Sequence, residues 1–375
     1  MSTAVEVASG TLALFQLPLR RPFVTARATL VDRQVAILAL RDERGRIGLG
    51  EAAPLPGTSP ESIADVQASL QSLLNRCGPV IGARFRTAGE VAELSATPAL
   101  PASARHAVDQ ALLDLLAARR GSSVARLLHP GARTRVPLHT LVSTPEEARA
   151  AAARGARALK IKVGHRSLDQ DRAHVAEIRA AAGPEIPLRL DANGAWSEAR
   201  AAEAITALSV FGLQCVEQPT RTLGEMARLR RQVSVPIAAD EGVANAEDLE
   251  ELIALGAADL VVLKPMLLGG LSAASVLARR CADAGLPVSV TASLESAIGR
   301  AGALEVAAAA PGTLWTCGFE TGRLLSADLE RDENGAVCIR RARSVELSPA
   351  AQGGHARLAR REPLGVIAQL RGTAA

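Results

Sequence analysis

From about residue 135 the chain alternates short apolar runs with segments of helical periodicity. This alternation limits the fold more than any other feature of the 375 residues. The runs are VPLHTLV (136–142), ALKIKV (158–163), PLRLDAN (187–193), QCVEQP (214–219), PIAAD (236–240), DLVVLKP (259–265), PVSVTA (287–292) and LWTCG (314–318). Successive runs begin roughly 20–30 residues apart, the length of one strand, one helix and two short loops. Eight such runs in order predict an α/β fold, a closed (β/α)7β-type TIM barrel. A doubly wound open sheet is the competing arrangement, because periodicity does not report closure. No G-x-G-x-x-G follows any run, which counts against dinucleotide binding.

The chain before the barrel reads as α+β. Apolar stretches near 11–18 and 34–40 predict strands, with a turn at Asp42-Glu43-Arg44-Gly45. Ser59-Pro60-Glu61 marks a helix start, and helices are predicted over about 60–76 and 102–119. In the second of these, Ala107, Ala111, Leu112 and Leu115 recur at helical spacing. Residues after 318 fit none of the barrel pattern. The expected organisation is an α+β capping domain over 1–130, the catalytic barrel over 131–320, and a C-terminal segment over 321–375 that returns to the capping domain.

Composition excludes several classes of function. Net charge is +4, but the basic residues are interleaved with acids, aromatics are 2% and tyrosine is absent. A nucleic-acid surface would cluster its cations and add stacking rings. No apolar run reaches the ~18 residues that span a bilayer. Cys77, Cys215, Cys281, Cys317 and Cys338 form no CxxC pair and are odd in number, which predicts reduced thiols in a cytoplasmic protein. The N-terminus has an early acid and no basic segment, so no secretory signal is expected. The partners expected are a small-molecule carboxylate, no nucleic acid and no membrane, with homo-oligomerisation left open.

Of 43 lysines and arginines only three are lysine: Lys160, Lys162 and Lys264. Arginine does not lose its proton in a protein, whereas a buried lysine can. In a chain that uses arginine wherever a cation suffices, the remaining lysines mark places that require a titratable amine. All three end predicted barrel strands. So do Asp191, Glu217 and Asp240, one per successive unit. Strand C-termini converge on one mouth of a β/α barrel, where active sites form. Alternation turns Lys160 and Lys162 to one face and Leu159, Ile161 and Val163 to the helices, and likewise groups Arg189, Asp191 and Asn193. Helix capping would account for one acid, not for three flanked by the only lysines. Three carboxylates at one mouth repel unless a cation joins them, and oxygen-only ligands suit a hard ion such as Mg²⁺, with Mn²⁺ as the alternative. The six histidines (106, 129, 139, 165, 174, 355) are dispersed and read as surface or core residues, with His139 on the first barrel strand set apart.

These residues resemble the enolase superfamily, in its muconate-lactonizing-enzyme subgroup. That subgroup has K-x-K on the second barrel strand, metal ligands on the next three and a lysine on the sixth. Lys160-Ile161-Lys162, Asp191, Glu217, Asp240 and Lys264 match in that order, and RPFVTARATL (21–30) and GLGEAAPLPG (48–57) extend the likeness to the capping domain. Within the subgroup, RLDANGAWS (189–197), VEQPT (216–220) and VVLKPMLLGGL (261–271) are similar to the o-succinylbenzoate synthase family of menaquinone biosynthesis. N-succinylamino acid racemases and dipeptide epimerases share much of this pattern. The last strand, CGFETG (317–322), lacks the D-x-D of the epimerases, and Gly242 stands where the subgroup often has serine.

The resemblance implies a carbon–oxygen lyase: Mg²⁺-dependent syn dehydration of 2-succinyl-6-hydroxy-2,4-cyclohexadiene-1-carboxylate through an enediolate. Members of the superfamily pair a lysine or histidine base with Mg²⁺. Lys162 is then the base, and the acid when hydroxide departs; Lys160 tunes it. Lys264 stays cationic in a synthase and reprotonates the opposite face in a racemase. Arg189, Asn193 and Glu241 are candidate partners behind the ligands, with an interior barrel position as the alternative for Arg189 and a helix start for Glu241. Thr25 and Arg27 are candidates for a loop covering the mouth, and Ser293, Glu295 and Ser296 for the substrate site. A metal-binding scaffold without catalysis is the remaining alternative.

Overall fold

The structure is a computed structural model, which describes residues 4–24, 29–75, 80–331, 337–341 and 355–357. The chain opens with a long antiparallel hairpin of β1 (Val5–Val24) and β2 (Thr29–Asp42), to which β3 (Ile47–Ala52) adds on the other edge of β2. The predicted turn joins β2 to β3. There Asp42 Oδ1 accepts from the N–H groups of Arg44 and Arg46 at 2.9 and 2.7 Å, and Gly45 takes φ +79°. Two strands were expected near 11–18 and 34–40; both are present but longer. β3 was not predicted, because two glycines and a glutamate break the apolar alternation.

Then come α1 (Ile63–Leu74), β4 (Arg84–Phe85), α2 (Ala88–Ser95), α3 (Ala102–Arg120) and α4 (Val124–Leu128). Capping boxes start α1 (Ser62 with Asp65) and α2 (Thr87 with Glu90), satisfying N–H groups that a helix start leaves open. α3 is buried along most of its length and lies against β3. The glycines of β3 permit that approach: a Cβ at Gly50 would stand 1.8 Å from Ala107 O, and one at Gly48 2.1 Å from Ala111 O.

The run 136–142 divides into β5 (Arg135–Pro137) and β6 (Thr140–Val142). The barrel continues as α5 (Pro145–Ala153), β7 (Leu159–Lys162), α6 (Leu168–Ala182), β8 (Leu188–Asp191), α7 (Glu198–Leu208), β9 (Leu213–Glu217), α8 (Leu223–Arg230), β10 (Ile237–Ala239), α9 (Ala246–Leu255), β11 (Leu260–Leu263), α10 (Pro265–Leu268), α11 (Leu271–Asp283), β12 (Val288–Val290) and α12 (Ala297–Ala309). β6 to β12 form one parallel sheet in sequence order.

The eighth run bonds on both sides. Trp315 N donates to Val288 O (2.8 Å) and Gly318 N to Val290 O (3.0 Å). Cys317 N donates to Pro137 O (2.7 Å) and His139 N to Cys317 O (3.0 Å). Residues 315–318 therefore link the last sheet strand to the first, and the fold is a barrel rather than an open sheet. As the alternation predicted, Leu159, Ile161 and Val163 are fully buried in the outer core while Lys160 and Lys162 turn inward.

The hairpin lies over one side of the barrel mouth. Leu17, Leu30, Val35 and Ile37 pack with Met266 and Leu294, and with Leu325 and Leu329 further on. Burying such side chains is worth about 1.5–3 kcal/mol each. Leu329 belongs to β13 (Ala327–Arg331), which pairs with β14 (Val337–Arg341), and Ser326 N donates to Pro18 O at 2.8 Å. The short β15 (His355–Arg357) pairs antiparallel with β5 instead.

Candidate active site

Barrel topology carries the three lysines to one place. Lys160 and Lys162 are on β7, and Lys264 directly follows β11, four strands further round an eight-membered ring. Lys162 and Lys264 thus face each other from opposite sides. Asp191, Glu217 and Asp240 end or follow the three strands between them.

Lys160 Nζ donates to Glu217 Oε1 at 2.5 Å and stands 2.9 Å from Asp191 Oδ2. Lys264 Nζ donates to Asp240 Oδ2 at 2.5 Å. Lys162 Nζ donates to Asn193 Oδ1 (3.1 Å), whose Nδ2 donates to Glu241 Oε1 (2.9 Å). From the capping hairpin, the Phe23 ring sits 5.7 Å from Lys162 Nζ and closes that side of the mouth.

The charges are strongly coupled. Burial works against the charge on Lys160, but Asp191, Glu217 and Asp240 outweigh it and raise its pKa above the usual lysine value. Burial likewise opposes the charge on Lys264, and Asp240 and Glu241 overcome it. Asp191 is held below the usual aspartate value, since Lys160 and Lys162 together exceed its burial penalty. Asp240 is pushed well above that value by burial, with Glu241 and Glu217 adding to the effect and Lys264 opposing it.

The donor chemistry suits a hard divalent cation: Asp191 and Glu217 already close on one cationic centre, and Asp240 on another. Among the described residues no three His, Cys, Asp or Glu side chains ring one point as they stand. The two ammonium groups engage the carboxylates instead.

Backbone geometry marks the same mouth. The described non-glycine residues with positive φ are Asn193 (+45°), Gln218 (+40°) and Leu294 (+68°), and each lies just past the end of a barrel strand. Such conformations are disfavoured for side-chain-bearing residues and persist where surrounding contacts enforce them. Gln218, within VEQPT (216–220), carries no predicted role, and the pattern of bonds its amide makes has no signature in sequence.

Arg189, Glu295 and Ser296 sit elsewhere than the sequence predicts. Arg189 is not brought to the carboxylates. It is buried one layer down, with Nε donating to Gln214 Oε1 (2.7 Å), Nη1 to Thr316 O (2.8 Å), and its guanidinium 5.1 Å from the Trp315 ring. This is the interior position. His139 lies beside it, its Nδ1 3.4 Å from Arg189 Nη1, and burial and that cation keep it neutral, well below the usual histidine value.

Glu295 and Ser296 do not line an open substrate site. Glu295 accepts from Ser293 N at 2.6 Å, and Ser296 bonds Glu51 of β3 through both N–H and hydroxyl. Ser293 Oγ alone of the three is buried without a partner. Glu241 joins Asn193 rather than beginning a helix, since α9 starts at Ala246. Thr25 and Arg27 lie outside the described residues.

Residues 143–343 match the family Enolase C-terminal domain-like, and residues 10–129 match Mandelate racemase / muconate lactonizing enzyme, N-terminal domain. The chain is 42% identical over 235 residues to an o-succinylbenzoate synthase of Thermobifida fusca (strain YX), covering 58% of this chain and 73% of that protein. It is 41% identical over 208 residues to an o-succinylbenzoate synthase of Mycobacterium tuberculosis (strain CDC 1551 / Oshkosh), covering 53% and 62%. Among solved structures it superposes on the L-Ala-D/L-Glu epimerase from Bacillus subtilis with TM-score 0.79 at 26% identity, covering 90% of this chain and 96% of that one. Muconate lactonizing enzyme from Pseudomonas fluorescens gives TM-score 0.78 at 27% identity, covering 87% and 90%. The strand-end lysines and acids thus sit in a fold whose two domains both have matching families, and the chain belongs to the enolase superfamily.

Proposed function

We propose that this chain is an o-succinylbenzoate synthase, which dehydrates 2-succinyl-6-hydroxy-2,4-cyclohexadiene-1-carboxylate to o-succinylbenzoate and water. The observation that carries the chemistry is that Lys160 and Lys264 pair with three acids at one barrel mouth, where Lys162 is held by Asn193. The names of the relatives at 41–42% identity favour the synthase reaction.

In this reading Asp191, Glu217 and Asp240 would hold Mg²⁺, which would supply Lewis-acid stabilisation of negative charge on the substrate carboxylate. Lys160 stays cationic between Asp191 and Glu217 and adds positive charge beside the base. Lys162 removes the proton α to the carboxylate, and the electron pair moves into the enediolate. The same ammonium then returns the proton to the departing hydroxyl as the C–O bond breaks, so water leaves from the face that lost the proton. One residue serving both steps makes the elimination syn. Lys264, opposite, keeps its charge towards the enediolate. Phe23 helps exclude water from Lys162.

Racemisation of an N-succinylamino acid is the competing activity, because Lys162 and Lys264 across one mouth could each serve one face. Turnover of both substrates by purified protein with Mg²⁺ separates them. Faster dehydration is expected; faster racemisation would overturn the synthase reading.

A further inference from the structure

We infer that Gln218 is a positioning residue that sets how the three strand ends carrying the proposed metal ligands converge; this rests on the reading of Asp191, Glu217 and Asp240 as ligands. Gln218 directly follows Glu217, and its backbone at φ +40° turns the side chain beneath the neighbouring loop. Only 2% of the residue is exposed. Its Oε1 accepts from the N–H of Asp240 at 2.9 Å and of Gly242 at 3.0 Å. Its Nε2 donates to Thr220 O at 2.9 Å and lies 3.4 Å from Met226 Sδ. On the other side, the backbone carbonyl of Gln218 accepts from Gly194 N at 2.7 Å, in the loop that follows Asp191.

One residue is therefore adjacent to Glu217, bonded to the backbone of Asp240, and bonded to the loop of Asp191. A buried amide with donor and acceptor both used has a single favourable orientation, so it fixes the spacing of what it joins. The same packing leaves little room for a side chain at position 242. A Cβ on Gly242 would stand 3.3 Å from Gln218 Nε2 and 3.1 Å from Leu223 Cδ2, tight against the side chain that holds the turn.

The test is calorimetric titration of the full chain with MgCl₂, with thermal unfolding alongside. Gln218→Met should raise the Mg²⁺ Kd on the order of 10–100-fold, the usual effect of losing a residue that orients ligands. Gly242→Ala, which presses on Gln218 without deleting a buried bond, should raise Kd by a smaller factor. Leu249→Ala, on the buried face of α9, is the control: it should lower the melting temperature without moving Kd. An unchanged Kd in Gln218→Met, with a melting temperature lowered like the control's, would overturn the assignment. If Gln218→Met does not fold, an unchanged Kd in Gly242→Ala overturns it equally. Wild-type protein that binds no Mg²⁺, or an Asp191→Asn variant that binds it as wild type does, would sink the ligand reading itself.

Discussion

Asn193 reaches Lys162 with its carbonyl oxygen and Glu241 with its amide nitrogen, at 3.1 and 2.9 Å. The amide therefore has one usable orientation and holds the proposed base by an acceptor that carries no charge. Its backbone, at φ +45°, is bent to reach that place, and Asn193 N also donates to Asp191 Oδ1 at 3.2 Å. Removing the bridge with Asn193→Leu should misplace Lys162 while leaving the substrate's other contacts alone. The expected result is a fall in kcat on the order of 10²-fold with little change in KM, read from steady-state dehydration kinetics.

Lys162→Ala removes the proposed acid and base together. Dehydration should fall by about 10²–10⁴-fold or more, while calorimetry shows Mg²⁺ still bound, since Lys162 contacts none of the three acids within ion-pair distance among the described pairs. Equal turnover in wild type and variant would instead support a scaffold without catalysis.

The junction between hairpin and barrel contains a buried acid with a neutral-range pKa. Burial, reinforced by nearby Glu51, pushes Glu295 from 4.5 up to about 7, with Arg33 opposing. A raised value means the folded state favours the protonated carboxyl. The stability this confers is full below about pH 4.5 and is lost as pH rises through about 7. Glu295→Gln keeps an oxygen acceptor for Ser293 N and carries no charge. The variant should be more stable than wild type at pH 8, by an unfolding free energy on the order of 3 kcal/mol at most, and the margin should shrink towards pH 5. A margin independent of pH would show that Glu295 does not titrate in this window.

Arg33 is the cation of that junction and is 1% exposed. Its guanidinium donates to Leu294 O at 3.2 Å, to Pro54 O at 2.6 Å and to Ala53 O, so it ties the loop after β3 to the loop after β12. Arg33→Met would leave these carbonyls without that donor and remove a buried cation that acts on Glu295. Leaving a buried acceptor without its donor costs about 1–3 kcal/mol, and denaturant unfolding should show a loss of at least that size.

The barrel and its chemistry were legible in the sequence because both are periodic or rare. Strand-end residues repeat once per unit, and three lysines against 40 arginines point to themselves. The junction was not legible. Glu51, Arg33, Glu295 and Ser296 come from three distant segments, and nothing local distinguishes a buried acid from a surface one. Arg189 and Asp191 share a strand face in the sequence, but two residues separate the barrel's interior layer from its mouth, and alternation reports direction without depth. Run 136–142 read as one strand; Pro137, lacking an N–H, ends a ladder that residue type alone did not place.

Two glycines let β3 lie close against the backbone of α3. β3 meets α3 through Gly48 and Gly50, and a methyl at Gly50 would stand 1.8 Å from Ala107 O, with no flexible side chain there to yield. Gly50 has no positive φ, so alanine would be conformationally acceptable and the effect isolates packing. Gly50→Ala must push α3 off the sheet and open the core that Ala107, Ala111 and Leu115 fill. Overpacking of this kind typically costs about 1–3 kcal/mol, and the rigid backbone places this site at or beyond the upper end. Because α3 also touches α10 and α11, Gly50→Ala should weaken the seat of the capping domain on the barrel. It should therefore lower the melting temperature and raise KM for dehydration, while Gly89→Ala, whose added methyl meets only Thr87 Oγ1 at 3.8 Å, leaves KM unchanged.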